Sequence, residues 1–430
     1  MAYRRKSGFL WKKSGGGRAT PTVMTTIPEE IYYEILLRLP VKSLLACKCV
    51  CKNWYALIST SNFVKLHQKL TIQKNNPMLM LKVNGITQLY SIDYDSLPSS
   101  SVCEIKDYDI EIDHPFKSYY CVGFSGSCNG IICTWLIDWS DDWDVFCLWN
   151  PATREYKELP KSPIEISIDN VCVHGFGYDN KTDNYKLVVG REANGSKDST
   201  LVQVYTLASN SWKIGQTVNY HFFHFQTSGV LVNGNLHWLA PGQNNCLLLS
   251  LDIADESFKE MQLPRHILEM EMNKDLCIGV LQECLCLLVS SDVNGVKAHS
   301  EVWEMLDYGI QESWTKRYVM AHESIINDHK YFRLVRSLKN EEILLLTGNI
   351  LVLYEPKHRK ARELKINNFL FKNAETYFES LVSLNSGTYV GGELEKTGEE
   401  SIDWQKLSDY VFYFVVLVFL LAHIYVLFFN

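Results

Sequence analysis

The order of hydrophobic and polar residues divides the chain into a short helical segment and a long strand-rich segment. Between residues 25 and 70, apolar side chains recur three or four positions apart, which is the spacing of a buried helix face. Pro28 and the two glutamates after it mark a helix start, Pro40 ends that helix, and Ser43 is placed to cap a second one. With a last helix over 63–70, we expect three short helices, which bury little surface by themselves and therefore need a partner.

After Asn75 the pattern changes to apolar runs broken by Gly, Asn and Asp, which predicts antiparallel strands and hairpins. A short motif, an aromatic residue closely followed by lysine, recurs along this segment, and a degenerate further copy covers 350–366. A period near 50 residues made of short strands is typical of kelch-like propeller blades. The repeated aromatic residues are Tyr156, Trp212, Phe258 and Trp314.

The predicted fold class is therefore mainly β with a small all-α N-terminal module. One small twisted sheet cannot bury both of its faces, so copies of it are expected to pack around an axis in an irregular propeller of antiparallel sheets. Under this interpretation the large indoles fill the space between blades, with an aromatic cluster facing a substrate as the minority alternative. The tryptophans concerned are Trp149, Trp212, Trp238 and Trp314.

Both ends of the chain differ from the segments between them. Residues 1–24 carry six basic residues, a glycine triplet and no acidic residue, and are expected to form a disordered basic arm. Residues 391–409 are interpreted as a linker. Residues 410–429 are apolar with one histidine and no charge, long enough to cross a bilayer as a helix. They predict a tail anchor that leaves the body in the cytosol; a buried helix, or translation of adjoining non-coding sequence, are the alternatives.

Composition narrows the functional class. A formal net charge of −7 argues against a nucleic-acid binder, because phosphate recognition needs a positive surface. The 13 cysteines follow no disulfide framework, and no secretory leader opens the chain, so reduced thiols in the cytosol or nucleus are expected.

Three cysteines stand close together in the segment CKCVC. Cys47, Cys49 and Cys51 are separated by single residues, whereas structural zinc sites use pairs two to four residues apart. If the segment is helical, Cys47 and Cys51 share a face and Cys49 points away. We interpret them as small packed thiols and expect no metal or other cofactor.

No motif of a catalytic centre is present: the chain has no HExxH, GxSxG or phosphate-binding loop. One acidic and aromatic cluster follows a predicted strand. Such a run is usually a solvated loop tip, but carboxylates beside aromatics also suit an exposed contact with a target. The candidate target-binding residues are Asp138, Trp139, Asp141, Asp142, Trp143 and Asp144.

The helical segment resembles an F-box. The matching positions are Ile27-Pro28 at its start, a central Leu39-Pro40, and Val50 with Lys52 and Trp54 at its end. In that family the module docks a Skp-type adaptor, which links it to the cullin and RING subunits of a ubiquitin ligase. Ile27 replaces the commoner leucine, and Ala46-Cys47 also departs from related plant sequences. The resemblance implies these adaptor contacts: Ile27, Pro28, Ile31, Leu39, Pro40, Val41, Leu44 and Leu45.

The strand-rich segment resembles the F-box-associated domain of plant F-box proteins, a group that includes kelch-type and S-locus members. The matching blocks lie between about 100 and 387, among them SGSCNGIIC, WNPATREYKELP and GFGYDNKTDNYKLV. The domains expected are an F-box over 25–70 and a propeller-like domain over 75–390.

Together these resemblances imply a non-catalytic substrate receptor of a Skp–cullin–F-box ligase, whose propeller-like domain binds a protein target. A narrower version is a self-incompatibility factor that recognises a pistil ribonuclease. The alternatives are a membrane-tethered binding module without a ligase role and a propeller enzyme acting on glycans. Failure to bind the adaptor would favour the former, and the latter would require convergent carboxylates on one propeller face.

Overall fold

The computed structural model describes residues 29–384, apart from short internal segments. The chain divides into two compact units, Met1–Leu39 and Pro40–Asn430. Helix α1 (Glu29–Arg38) belongs to the first unit, and every other element named below belongs to the second. The internal segments outside the description are 85–87, 95–102, 106–110, 120, 138–143, 167–170, 194–195, 223–227, 244, 269–274, 294–295, 322–331, 339–340 and 367–368.

Three helices open the second unit: α2 (Val41–Lys48), α3 (Lys52–Ile58) and α4 (Ser61–Lys74). The N-cap residue of α2 is Pro40, with Ser43 already inside the helix, so the capping role predicted for Ser43 is wrong. The single second helix expected from the sequence is two helices, α2 and α3.

The predicted fold class is confirmed: a small N-terminal helical module precedes a six-bladed β-propeller. The described strands form six sheets, which we name blades I to VI in chain order. Most blades are four consecutive antiparallel strands, as expected where each strand is joined to the next by a hairpin.

The strands of the first three blades follow in chain order, with the last strand of the chain included in blade I. Blade I contains β1 (Met78–Val83), β2 (Leu89–Asp93) and β24 (Phe371–Tyr377). Blade II contains β4 (Cys121–Cys128), β5 (Ile131–Ile137), β6 (Val145–Asn150) and β7 (Glu155–Glu158). Blade III contains β8 (Val171–Asp179), β9 (Asn184–Ala193), β10 (Ser196–Thr206) and β11 (Ser211–Val218).

The remaining three blades follow, with a short helix α5 (Arg265–Leu268) between blades IV and V. Blade IV contains β12 (Val230–Val232), β13 (Asn235–Pro241), β14 (Cys246–Asp252) and β15 (Ser257–Met261). Blade V contains β16 (Asp275–Leu281), β17 (Cys284–Val293), β18 (Val296–Met305) and β19 (Trp314–Ala321). Blade VI contains β20 (Phe332–Ser337), β21 (Ile343–Thr347), β22 (Ile350–Glu355), β23 (Lys360–Ile366) and β3 (Cys103–Ile105).

The ring is closed by pairing distant parts of the chain. The last strand, β24, pairs antiparallel with the first, β1, so that Met78 lies opposite Tyr377. Strand β3 adds to the outer edge of blade VI, parallel to β23. The innermost strands β4, β8, β12, β16, β20 and β24 contact one another in succession around the axis.

The hydrophobic core is divided into six clusters, one between each pair of neighbouring blades. Trp149, Trp238 and Trp314 are almost fully buried in these clusters, and Trp212 is partly buried against one of them. The prediction that these indoles pack between blades is therefore confirmed.

The repeated aromatic residues stand at equivalent positions of four consecutive blades. Tyr156, Trp212, Phe258 and Trp314 lie at the start of β7, β11, β15 and β19, the outer strands. Two of the indoles also bond to the preceding blade. The Trp212 Nε1–H donates to the carbonyl oxygen of Pro160 at 2.6 Å, and the Trp314 Nε1–H to that of Gln262 at 3.0 Å.

Candidate functional site

Helix α1 exposes apolar side chains that a solvated helix would keep covered. Ile31 and Ile35 are 52 % and 51 % exposed, and their spacing of four residues places them on one helix face. Leu36 and Leu37 are buried. An ion pair between Arg38 and Glu34, 2.6 Å long, lies on the exposed surface of the helix. Ile31 is one of the predicted adaptor contacts, and Ile35, on the same face, is not among them.

The other predicted adaptor contacts differ in exposure. Pro40 is exposed, and Leu39 and Leu45 are half-buried. Val41 and Leu44, both in α2, are 2 % and 0 % exposed, so in this conformation neither is accessible to a partner. Ile27 and Pro28 lie outside the described residues.

The CKCVC segment contains the break between α2 and α3. Cys49 ends α2, and Cys51 is the N-cap residue of α3, where its Sγ accepts the backbone N–H of Trp54 at 3.5 Å. Cys47 and Cys51 are therefore not on one helix face, and Cys51 is exposed, contrary to the expected packing of all three thiols. Burial, and secondarily Cys49, raises the pKa of Cys47 to about 11. These thiols have capping and packing roles.

The two ends of the propeller differ in their connections. In an antiparallel blade the first and third turns lie at the same end of the sheet. Helix α4 leads into β1 at that end of the propeller, which we call the helix-side face. Its turns are short, for example 129–130, 180–183 and 233–234. The strand ends at the opposite, distal face are joined by longer connections, which in sequence comprise 106–120, 159–170, 219–229, 262–274 and 322–331.

The short turns are closed by polar side chains that bond to their own backbone. Oδ1 of Asn150 accepts the N–H groups of Ala152 and Thr153. Asp179 and Asp252 bind the amides two and three residues further on in the same way. Such turns leave few backbone groups free for a partner.

The predicted target-binding loop joins β5 to β6 at the distal face. Asp138, Trp139, Asp141, Asp142 and Trp143 lie outside the described residues. Asp144, the remaining member, accepts the Trp135 Nε1–H at 2.9 Å, and its backbone N–H bonds to the carbonyl oxygen of Ile166. Asp144 therefore anchors the base of the loop to the propeller.

A central channel of about 1120 Å³ runs between the inner strands. In its lining, Arg333 of β20 and Glu375 of the neighbouring strand β24 form an ion pair at 3.2 Å, and Arg333 also bonds to Asn373. Burial raises the pKa of Glu375 despite the opposing effect of Arg333. Arg333 and Glu375 thus offset each other's charge at this point of the channel lining.

The described part of the propeller contains buried cysteines and dispersed histidines and carboxylates. Among the described residues, no three His, Cys, Asp or Glu side chains are grouped as metal ligands would be. Burial raises the pKa of Cys246 to about 12. It also raises the pKa of Cys277, to about 11, although the nearby Arg333 acts to lower it. These thiols are protonated at neutral pH, whereas catalytic cysteines need the thiolate.

The predicted membrane anchor at 410–429 lies outside the described residues. Within residues 29–384, as far as they are described, no helix is both long enough and apolar enough to cross a bilayer.

Comparison with known proteins agrees with this architecture. The F-box domain family matches residues 24–66, and the F-box associated beta propeller domain family matches residues 78–389. The chain is 30% identical to F-box protein CPR1 of Arabidopsis thaliana over 80% of this chain and 86% of that protein. It is 30% identical to F-box/kelch-repeat protein At3g23880 of the same plant, over 67% of this chain and 78% of the relative.

Similarity to solved structures is weaker. TolB from Acinetobacter baumannii aligns with a TM-score of 0.38 and 8% identity, covering 74% of this chain and 71% of TolB. The match to the F-box associated beta propeller domain spans most of the chain and coincides with the six blades. This protein therefore belongs to the family of F-box proteins with an F-box associated beta propeller domain.

Proposed function

We propose that this protein is the substrate receptor of a Skp–cullin–F-box ubiquitin ligase. Its helical module binds the Skp-type adaptor, and its propeller binds a target protein through the distal face. The observation that carries the proposal is the pair of exposed isoleucines on α1, within a segment that matches the F-box domain. Exposed apolar side chains in contiguous positions mark interaction surfaces, and here the family of the segment suggests the partner.

The adaptor contact is proposed to combine exposed and supporting residues. Ile31 and Ile35 would insert directly into the adaptor, together with Ile27 and Pro28 before them in the sequence. Pro40, Leu39 and Leu45 would complete the contact. Val41 and Leu44 would have a supporting role within α2, because they are buried.

The receptor itself would perform no chemistry. It would raise the local concentration of target lysines near a conjugating enzyme carried by other subunits. The protonated state of the buried thiols supports this reading, because a ubiquitin-transferring cysteine acts as a thiolate.

Target recognition is proposed for the distal face, where the long connections lie. Loops on a rigid scaffold carry specificity because they vary without disturbing the core. The 138–144 loop, anchored by Asp144 to Trp135, remains the first candidate. The acidic and indole side chains in its sequence would suit a target with basic and apolar groups.

Adaptor binding tests the proposal directly. The full chain is mixed with the purified Skp-type adaptor, and the dissociation constant is measured for the wild type and for the double variant Ile31→Asp, Ile35→Asp. We expect tight binding by the wild type and a loss of at least about 30-fold in the variant, since buried apolar contacts dominate such interfaces.

A matched control is Ile214→Asp on the outer strand β11, because Ile214 is 53 % exposed and just as apolar. Its affinity for the adaptor should remain within about twofold of the wild type, well under the roughly tenfold change in dissociation constant that 1.4 kcal/mol produces. Absence of binding by a folded wild-type chain would contradict the receptor function. Equal losses in both variants would show that the α1 surface is not the adaptor site.

A further inference from the structure

Helix α4 lies across the helix-side face and connects opposite sides of the propeller. Near its start, Nζ of Lys65 forms an ion pair with Oδ2 of Asp183 at 2.5 Å, in the β8–β9 turn of blade III. At its end, the Arg336 guanidinium, on β20 of blade VI, donates to Oδ1 of Asn75 at 2.6 Å. In a ring of six blades, III and VI are diametrically opposed. The helix therefore spans the mouth of the central channel.

Both ends of this span are held in defined conformations. Asp183 has a left-handed backbone with φ 55°, and its other carboxylate oxygen accepts the hydroxyl of Tyr178. Asn75 is the C-cap residue of α4 and also left-handed, with φ 48°. Arg336 stacks on Phe378, with its guanidinium carbon 5.1 Å from the ring centroid. Each contact thus joins groups that are already fixed by their own neighbours.

The first part of the helix is also supported by the core. Val64 packs against the core cluster between blades II and III, which includes Val382 and Leu384 of the C-terminal segment. That segment is itself fixed by Asn150, whose Nδ2–H₂ donates to the carbonyl oxygens of Ser380 and Val382. Farther along, Ile72 and Gln73 line the channel.

We propose that Lys65, Asp183, Asn75 and Arg336 are positioning residues, which we call the α4 brace. The brace holds the α2–α4 part of the adaptor-binding module in one orientation on the propeller, and so determines which lysines come within reach of the conjugating enzyme. This inference rests on the proposed receptor function. Its physical basis is that ubiquitin transfer is efficient only when a lysine and the conjugating enzyme are held close together. A rigid connection between the helices and the propeller keeps that distance within a narrow range.

The brace variant combines Lys65→Glu with Arg336→Gln. The first change places a carboxylate against Asp183, and the second removes the guanidinium that clamps Asn75. Exposed ion pairs contribute little to stability, so the propeller should remain folded and its melting temperature nearly unchanged. The matched control is Lys181→Glu, because Lys181 pairs with Asp255 at 2.9 Å on the same face without touching the helices. The conservative variant Lys65→Arg should behave as the wild type.

The first measurement is amide hydrogen exchange of residues 61–74 in the receptor alone. We expect exchange at least about fivefold faster in the brace variant, since the helix opens locally when its tertiary contacts are lost. Lys181→Glu and Lys65→Arg should leave it unchanged. Unchanged exchange in the brace variant would overturn the proposed docking, whether or not the protein acts in a ligase.

The second measurement uses the ligase assembled with adaptor, cullin, RING subunit, conjugating enzyme and ubiquitin. The probe is modification of the receptor's own lysines, mapped by mass spectrometry. With adaptor affinity equal to that of the wild type, the brace variant should spread ubiquitin over more lysines and transfer it several-fold more slowly. Faster exchange with an unaltered lysine pattern would overturn the positioning role. Failure of the wild-type chain to bind adaptor would instead refute the receptor function on which the inference rests.

Discussion

Helix α1 and the propeller differ in which side chains they expose and which they bury. The helix exposes apolar side chains, with about half of Ile31 and of Ile35 accessible to solvent. The propeller buries polar ones: the side chain of Lys186 is 8 % exposed, and His237 is fully buried.

The buried Lys186 is satisfied by internal partners. Lys186 donates to the carbonyl oxygens of Ile253 and Ala254 and pairs with Asp179 and Glu256, which joins blade III to blade IV. Such groups are costly only when a partner is missing. The isoleucines of α1 differ from these groups, because about half of each side chain is left accessible by the described residues. The comparison teaches that paired buried charges stabilise the propeller from within, whereas the exposed isoleucines of α1 should contribute little to the stability of the fold.

The largest expected effect comes from breaking the buried network at Lys186. The Lys186→Met variant should lose about 3 kcal/mol of unfolding free energy, because it leaves buried carboxylates without their cation. Burial by itself would raise the pKa of Asp179, but hydrogen bonds from Thr182, Lys181 and Lys186 lower it overall. Urea unfolding at pH 7, followed by tryptophan fluorescence, measures the change.

The matched control for that experiment is Lys181→Met, which removes an exposed pair between the same two blades. Its effect should be under about 1 kcal/mol. Similar small losses in both variants would show that the buried polar network contributes no more than a surface pair, and the contrast between the two regions would fail.

A smaller effect is expected from acid, through His237. Its Nδ1–H donates to the carbonyl oxygen of Val230, so the bare Nε2 accepts the hydroxyl of Tyr308 at 2.8 Å. Burial lowers the pKa of His237 to about 4, below the ordinary 6.5 that it regains on unfolding. The unfolded chain therefore binds the proton first. The stability due to neutral His237 is complete above pH 6.5 and is lost as the pH falls towards 4.

Between pH 7 and pH 5 this histidine alone should cost about 2 kcal/mol of unfolding free energy. The measurement compares urea unfolding of the wild type and of His237→Gln at both pH values. The variant is expected to be less stable at pH 7 but to lose about 2 kcal/mol less on acidification. Parallel pH profiles for the two proteins would refute the assignment.

The smallest effect is expected at the exposed apolar surface. Replacing Ile31 and Ile35 with serine should change the unfolding free energy by no more than about 0.5 kcal/mol, as usual for surface positions. Differential scanning calorimetry of the full chain without adaptor measures it. A loss as large as that of Lys186→Met would mean that these side chains support the fold, and the surface would no longer point to a partner.

Much of the fold could be predicted because its signals are local and repeated. The aromatic residues Tyr156, Trp212, Phe258 and Trp314 occur once per blade at the start of an outer strand, so their spacing reports the blade period. The number of blades did not follow, because the first blade combines β1 and β2 with β24, nearly 300 residues away.

The candidate site was predicted less completely. The apolar pattern continues through CKCVC as it would in one long helix, but Cys51 caps a new helix there. The hydrophobic pattern does not predict this break, because it depends on a local hydrogen bond. Val41 and Leu44 are as apolar as Ile31, so the sequence does not distinguish them. The structure does, because Val41 and Leu44 are buried whereas Ile31 is exposed.

The sequence by itself determined the class of the protein: the F-box spacing, the strand periodicity and the repeated aromatics depend on residues close together in the chain. Tertiary structure alone decided the six blades, the closure of the ring by β24 on β1, and the path of α4 from blade III to blade VI. These depend on contacts such as Arg336 with Asn75, more than 250 residues apart. A hydrophobic pattern states which face of an element is buried, but not which distant element covers it.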